Sequence, residues 1–483
     1  MITMGDEKTL GSEDVEVRSN EERLLKQKVI KFALQKKSTA LLAHLGRSKL
    51  GFADNEVRPK CWSQLLNNQL KKSSEYKRQQ LDIVLNSKEV HMDEHQVQLD
   101  VNRSFITIET PIIRNNLRFI LNYFIIKILR LHPNLRYYQG YHDIISVIIV
   151  VYLNMSLINE QLKWNVPIND VNEIMSSLTE TELFNAIESF TLLYLRDFMT
   201  DSLYFTIDQL NIIPKLIKDR DIFLFNKFKL DQLQPFYATS SLLTVYSHDL
   251  KIEDKTFDNN ILFSIFDMII SHRNMAIPLV IYSNFIVNAK EELLKAYESN
   301  ISNFENQNDL INVIIQKQTL NDIFNDKTWD DVLSLTRQNV LINTSYLKTS
   351  NVNKYSVLYN TGSGKDQPLT NYNIKTVLNY MKNELIINEK RKIQIVRSKK
   401  FQLLRSNISK SIMRMKLPMV YQITLVVLLL LCSSYYRHFP NYSYNIDFFK
   451  QFEGNNVCHN LYIHFHRLSK DILASINRLI AKT

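Results

Sequence analysis

Two short constellations in this 483-residue chain have the residue types and spacing to do chemistry. In Val97-Gln98-Leu99-Asp100-Val101-Asn102-Arg103-Ser104 an acid precedes an arginine by three residues. At that spacing the Asp100 carboxylate can hydrogen-bond the guanidinium, or the loop around it, and restrict the long Arg103 side chain. A surface ion pair of this kind contributes about 0–1 kcal/mol and is the ordinary fate of such residues. The chemical alternative is an arginine held ready on a loop, which is what phosphoryl transfer requires from a helper protein. The second constellation is Leu135-Arg136-Tyr137-Tyr138-Gln139-Gly140-Tyr141-His142-Asp143. Gly140 is the only glycine between Gly51 and Gly362. A chain that avoids glycine over so long a run and then uses one here needs backbone freedom at that spot, either for an interhelical turn or for presenting Gln139.

The elements around these residues must bring them together. Leu117, Ile120, Leu121, Phe124, Ile125, Ile128 and Leu129 step by three and four, which predicts an amphipathic helix ending near His132-Pro133-Asn134. Ile144 to Leu153 is apolar nearly all round and too short to span a bilayer, which predicts a central core helix. The segment 104–115 contains Pro111 and reaches up to roughly 40 Å when extended. The helix after it can bring the chain back, so Arg103 and Gln139 can meet.

Composition points the same way. At about 7% glycine a chain of this length would carry roughly 34, and this one has 8. Gly-rich phosphate cradles, doubly wound sheets and hairpin-rich β folds need residues that tolerate positive φ. The expected fold class is therefore all-α, without a phosphate loop of its own. Thr361-Gly362-Ser363-Gly364-Lys365 lacks the first glycine, the Ser/Thr after lysine and the preceding strand of such a loop. His91 and His95 lack the metalloprotease order and sit in a polar stretch, which predicts solvated surface and no metal site. The scattered Cys61, Cys432 and Cys458 form neither a disulfide framework nor a zinc site.

The net charge of +10 is concentrated. Residues 390–416 hold ten Lys/Arg and no acid, leaving 49 basic residues against 49 acidic ones elsewhere. A nucleic-acid-binding domain would carry its basic face on the folded body, with aromatics to stack bases, so no nucleic-acid partner is expected. Here the basic run precedes the uncharged Leu417–Tyr436, and twenty such residues span the roughly 30 Å hydrocarbon core. The charge asymmetry predicts a single-pass protein with its large N-terminal part in the cytosol. The expected organisation is a disordered 1–22, a helical domain 23–345, a linker 346–389, a basic juxtamembrane segment 390–416, a transmembrane helix 417–436 and a tail 437–483. In the tail, Leu461, Phe465, Leu468, Ile472, Ile476 and Leu479 share one helical face, as an interfacial amphipathic helix requires. Asn441-Tyr442-Ser443 is a glycosylation sequon if that tail is lumenal.

Leu99-Asp100-Val101-Asn102-Arg103 and Tyr138-Gln139-Gly140 resemble the two signature motifs of the TBC-domain family, activators of Rab GTPases. The longer strings 96–104 and 137–144 resemble the branch anchored in the endoplasmic reticulum by a C-terminal transmembrane segment, of the yeast Gyp class. The resemblance covers roughly Gly51 to Asn288. It implies an all-helical domain, and a mechanism in which Arg103 and Gln139 act as paired fingers in a Rab active site. Asp100 would hold the Arg103 loop. Asn102, Tyr138, Gly140, Tyr141, His142 and Asp143 would contact the Rab. GTP and Mg²⁺ would belong to a GTP-bound Rab of early secretory, ER-to-Golgi traffic, with no cofactor in this chain. Two departures stand out. Ser104-Phe105-Ile106 replaces the usual Thr-aromatic-Pro, and Phe236-Tyr237-Ala238-Thr239-Ser240-Ser241-Leu242 stands where an Arg-Trp pair is common. The competing readings are a catalytically silent Rab-binding scaffold and a membrane tether.

Overall fold

The computed structural model describes residues 12–77, 90–153, 162–252, 260–303, 306–340, 342–360 and 371–414. The chain forms two compact units, 1–392 and 393–483. The described residues are mostly helical. The first unit begins with α1 (Ser12–Gln35), α2 (Thr39–Arg47) and α3 (Arg58–Gln69). The site is built on α4 (Glu94–Val101), α5 (Pro111–Leu131), α6 (Tyr141–Tyr152), α7 (Ser177–Phe190), α8 (Tyr204–Leu210) and α9 (Thr239–Thr244). Behind them lie α10 (Asn260–His272), α11 (Ile277–Asn288), α12 (Gln307–Ile323) and α13 (Asp326–Gln338). The last described helix, α14, runs Ile374–Arg414.

The helices form where the apolar spacing places them. The seven apolar residues singled out between Leu117 and Leu129 are all buried on α5, which starts at Pro111 because a fixed φ suits the first turn of a helix. Ile144, Ile145 and Val147 to Val151 are buried around α6, which makes it the central core helix expected from its uninterrupted apolar run. Burial of each such side chain contributes about 1.5–3 kcal/mol.

Two buried polar knots tie distant segments to this core. Asp267 on α10 accepts hydrogen bonds from Phe52 N at 2.8 Å, Trp62 Nε1 at 2.7 Å and Arg58 Nε at 3.2 Å. Gly51 has φ +52°, and a Cβ there would lie 2.3 Å from Asp267 Oδ2, so only glycine lets the backbone come this close. The second knot centres on Glu188 of α7, which pairs with Lys72, with His132 at 2.9 Å and with Tyr76 Oη at 2.6 Å. Burial alone would raise the Glu188 carboxyl, but the Lys72 and His132 contacts outweigh it and bring it down to about 2.

Two segments differ from the sequence expectation. Helix α1 already begins at Ser12, inside the stretch 1–22 expected to lack structure. The stretch 346–389, expected to be a linker, carries short helices Thr344–Thr349 and Val357–Asn360 and the first half of α14. Ile374, Val377, Met381, Glu384 and Asn388 are buried there, and Leu70–Lys71 pairs in parallel with Tyr372–Asn373. Polar composition misled because the Asn and Ser residues serve as caps and buried hydrogen-bonding groups. Asn373 accepts from Lys375 N at the start of α14, and Ser356 bonds to Asp197. The basic run from Lys390, for which the sequence reading set no secondary structure, is helical as far as Arg414. Among the described residues no helix is long and apolar enough to cross a membrane. The expected span 417–436, the tail features and the 361–365 sequence lie outside the described residues.

Asp267→Ala would leave the Arg58 guanidinium, 1% exposed, without its carboxylate. Breaking a buried pair in this way costs about 3–5 kcal/mol. Chemical unfolding should register that loss, and a change below about 1 kcal/mol would contradict the role given to the knot.

Candidate functional site

The arginine-bearing turn follows directly from the end of α4. Asp100, fully buried, forms an ion pair with Arg103 through Oδ1, while the Arg103 side chain itself is 65% exposed. The other carboxylate oxygen accepts from Tyr137 Oη at 2.9 Å and Gln96 Nε2 at 3.3 Å. Ser104 Oγ donates to Asp100 O at 3.1 Å, and Arg118 Nε on α5 donates to Ser104 O at 3.0 Å. Phe105 takes a left-handed conformation, φ 56°, and turns the chain before Ile108 N returns to Phe105 O. The pair is thus no ordinary surface ion pair, because one partner is inside the protein and fixes the base of the exposed one.

The Gln139 turn is built on the other side of the same knot. Gly140 caps the N-terminus of α6 at φ 112°, and a Cβ there would lie 2.8 Å from Thr244 Cγ2 on α9. Both the angle and the contact require glycine. Gln139 is exposed, and among the described residues its amide has no hydrogen-bond partner. Tyr138 Oη donates to Leu243 O at 3.0 Å, and Tyr137 Oη also contacts His142 Nδ1 at 3.0 Å. Tyr137 therefore bridges the two turns by touching Asp100 on one and His142 on the other. Sequence reasoning assigned it no role, although it stands two residues before Gln139.

Arg103 and Gln139 line one open cleft of about 610 Å³, together with Ile106, Leu203, Thr244 and His248. The walls from Leu203 and from Leu243 to Ile252 carried no sequence signal, and Ser240 stood out only as part of a departure from the family pattern; proximity comes only from the fold. At the C-terminus of α9, Val245 and Tyr246 both have positive φ, 51° and 64°, which is uncommon outside glycine and strained for a β-branched residue.

The residues expected to contact a partner differ in how much surface they offer. Tyr141 is fully buried, its hydroxyl 2.7 Å from Thr191 Oγ1, so it has no surface to offer. Gly140 and His142 are buried and Tyr138 is bonded to Leu243, yet all three line the cleft. Asn102 is exposed beside Arg103, and Asp143 is half-buried in the cleft wall. His91, expected on solvated surface, is buried with Nε2 3.1 Å from Leu135 O, whereas His95 is exposed. The polar stretch around His91 folds back onto the chain preceding the Gln139 turn, which short-range polarity could not reveal.

Two histidines flank Asp143 in the cleft, which Arg103 and Lys251 also line. His248 Nδ1 lies 3.1 Å from Asp143 Oδ2, and this hydrogen bond raises the His248 pKa. Burial lowers His142, with partial compensation from Asp143 and Asp100. Burial would raise Asp143, but the His248 hydrogen bond and neighbouring positive charge hold it below the usual value.

The described residues form a mostly helical scaffold around this cleft, and sequence comparison names its class. A model of the Rab-GTPase-TBC domain matches residues 55–294. The chain is 38% identical over 375 residues to GTPase-activating protein GYP8 of Saccharomyces cerevisiae, covering 75% of this chain and 71% of that protein. This protein belongs to the Rab-GTPase-TBC domain family. It is also 26% identical over 249 residues to GTPase-activating protein gyp10 of Schizosaccharomyces pombe, covering 51% of this chain and 57% of that protein. Over 214 residues it is 27% identical to TBC1 domain family member 20 of Homo sapiens, covering 44% and 45% respectively.

The raised His248 pKa fixes the sign of one pH effect. Its pairing with Asp143 stabilises the fold fully below the unfolded histidine value of about 6.5 and is lost as pH rises through the higher folded value. The stability difference between wild type and His248→Ala should therefore be larger at about pH 5.5 than at about pH 8.5 in chemical unfolding. A difference that does not change between these pH values would contradict the pairing.

Proposed function

We propose that this protein accelerates GTP hydrolysis by a Rab-family GTPase, supplying Arg103 and Gln139 in trans. The observation that carries the reading is that these two residues, 36 positions apart in sequence, line the same open cleft with the arginine exposed on a turn anchored by buried Asp100. Phosphoryl transfer needs positioning and electrostatic stabilisation more than covalent chemistry, and an arginine supplied in trans is worth roughly 10³–10⁵ in rate. Arg103 meets the charge that develops on the β–γ bridging oxygen and the γ-phosphate. Gln139, whose amide is both donor and acceptor, orients the attacking water. Asp100 is a positioning residue. GTP and Mg²⁺ are carried by the GTPase. The uncharged segment 417–436 anchors the protein in the endoplasmic reticulum membrane with residues 1–392 in the cytosol. The substrate is accordingly a Rab of early secretory traffic.

Single-turnover GTP hydrolysis by a panel of purified Rabs, with residues 1–416, tests this reading. One or a few Rabs should be accelerated strongly. Arg103→Ala and Gln139→Ala should each lose at least about a hundredfold of that acceleration. A folded, monodisperse protein that accelerates none of them would leave a Rab-binding scaffold as the better account.

A further inference from the structure

The residues between Arg196 and Asp208 make contacts in two directions. Toward the cleft, Met199 O accepts from Arg136 N at 2.9 Å, and the Phe198 ring meets the Tyr138 ring edge-on at 6.0 Å between centroids. Leu203, more than half exposed, lines the cleft itself. In the opposite direction the same strap is held by residues far later in the chain. Arg196 is buried and donates from Nε to Glu384 Oε2 at 2.9 Å, and from Nη2 to Tyr355 O. Asp197 accepts from Val357 N at 3.1 Å and from Ser356 Oγ. Asn388, 1% exposed, donates to Asp201 Oδ1 at 2.6 Å and lies 2.5 Å from Ser202 Oγ. Arg391 grips Asp208 with both terminal nitrogens, at 2.5 and 2.8 Å, and lies over the Tyr204 ring. Lys392 pairs with Asp201.

We infer that the first half of α14, through Glu384, Asn388, Arg391 and Lys392, is a positioning element for the Gln139 turn, acting through the 196–208 strap. Four considerations support it. The contacts come one helical turn apart, at 384, 388 and 391–392, so one face of α14 grips the strap along its length. The Arg391–Asp208 contact is a two-point fork and fixes direction as well as distance. The strap residues that do not face α14, namely Phe198 and Met199, touch the residues on either side of Tyr137, immediately before Gln139. Finally, Gln139 has no hydrogen bond of its own among the described residues, so the backbone beneath it decides where its amide points. The matched family domain ends at residue 294, and this buttress lies wholly beyond it. Two residues of the basic run, Arg391 and Lys392, thereby have a structural task inside the cytosolic unit as well as contributing to its charge.

This inference rests on the proposed activity for its kinetic readout but not for its structural one. The test uses full-length protein in mild detergent, carrying Asn388→Ala with Arg391→Ala, and separately Lys392→Ala and the conservative Arg391→Lys. Hydrogen exchange of the 136–143 amides, which needs no Rab, should rise at least about tenfold in the double variant while exchange in α5 stays at the wild-type rate. On an accelerated Rab, kcat should fall about tenfold with KM unchanged, Arg391→Lys should restore most of it, and combination with Gln139→Ala should give no further loss. Unchanged exchange at 136–143, or a kinetic loss that multiplies with that of Gln139→Ala, would overturn the inference. If the double variant fails to fold, Lys392→Ala and the single Arg391→Ala are read by the same exchange criterion, with Arg391→Lys expected to stay near the wild-type rate. Absence of acceleration by wild type would instead remove the proposed activity and leave the exchange result to decide this inference.

Discussion

Asp100 is fully buried, yet its carboxylate is divided among an exposed arginine, a tyrosine hydroxyl and a glutamine amide. A buried carboxylate without such partners would be costly, and hydrogen bonding to charged and polar groups offsets that desolvation. The arrangement gives Arg103 a fixed base and a free tip, which suits the role in trans proposed for it. Tyr137 carries the same carboxylate's influence to the Gln139 turn, so one acid organises both edges of the cleft. Removing it would unpair Arg103 and leave Tyr137 without its acceptor at once.

The second constraint is steric. Gly140 lets α6 begin within van der Waals reach of Thr244, and the left-handed Val245–Tyr246 step turns the chain away immediately afterwards. Any side chain at residue 140 would push the Gln139 turn from the wall formed by α9. Strain at Val245 is held by the packing of buried Tyr246, whose hydroxyl donates to Pro278 O at 3.0 Å. The strap 196–208 supports the turn from the other side, and α14 supports the strap. The cleft is therefore assembled from segments separated by as many residues as lie between Asp100 and Lys392.

Much of the helical framework was legible in the sequence because period and composition are local signals. The α5 and α6 positions follow from apolar spacing, and scarcity of glycine excludes the alternatives to a helical fold. Asp100, Arg103, Gln139 and Gly140 stood out through spacing and through a single glycine. Burial was not legible. Tyr141 has a type that suits a contact surface, but α6 turns it inward. Tyr137 gave no signal because its value lies in reaching Asp100 across 37 residues. The stretch 346–389 read as a linker because Asn, Ser and Lys dominate it, and only the folded chain supplies the buried acids and carbonyls that those residues bind.

The central claim is that Arg103 and Gln139 stabilise a transition state on a bound GTPase, beyond any contribution to binding. Titration calorimetry with an accelerated Rab loaded with GDP, with and without aluminium fluoride, tests it most directly. The account requires binding at least about a hundredfold tighter with the transition-state mimic, and loss of that difference in Arg103→Ala and in Gln139→Ala. Equal affinity for the two nucleotide states in wild type, or a difference that survives both substitutions, would contradict it.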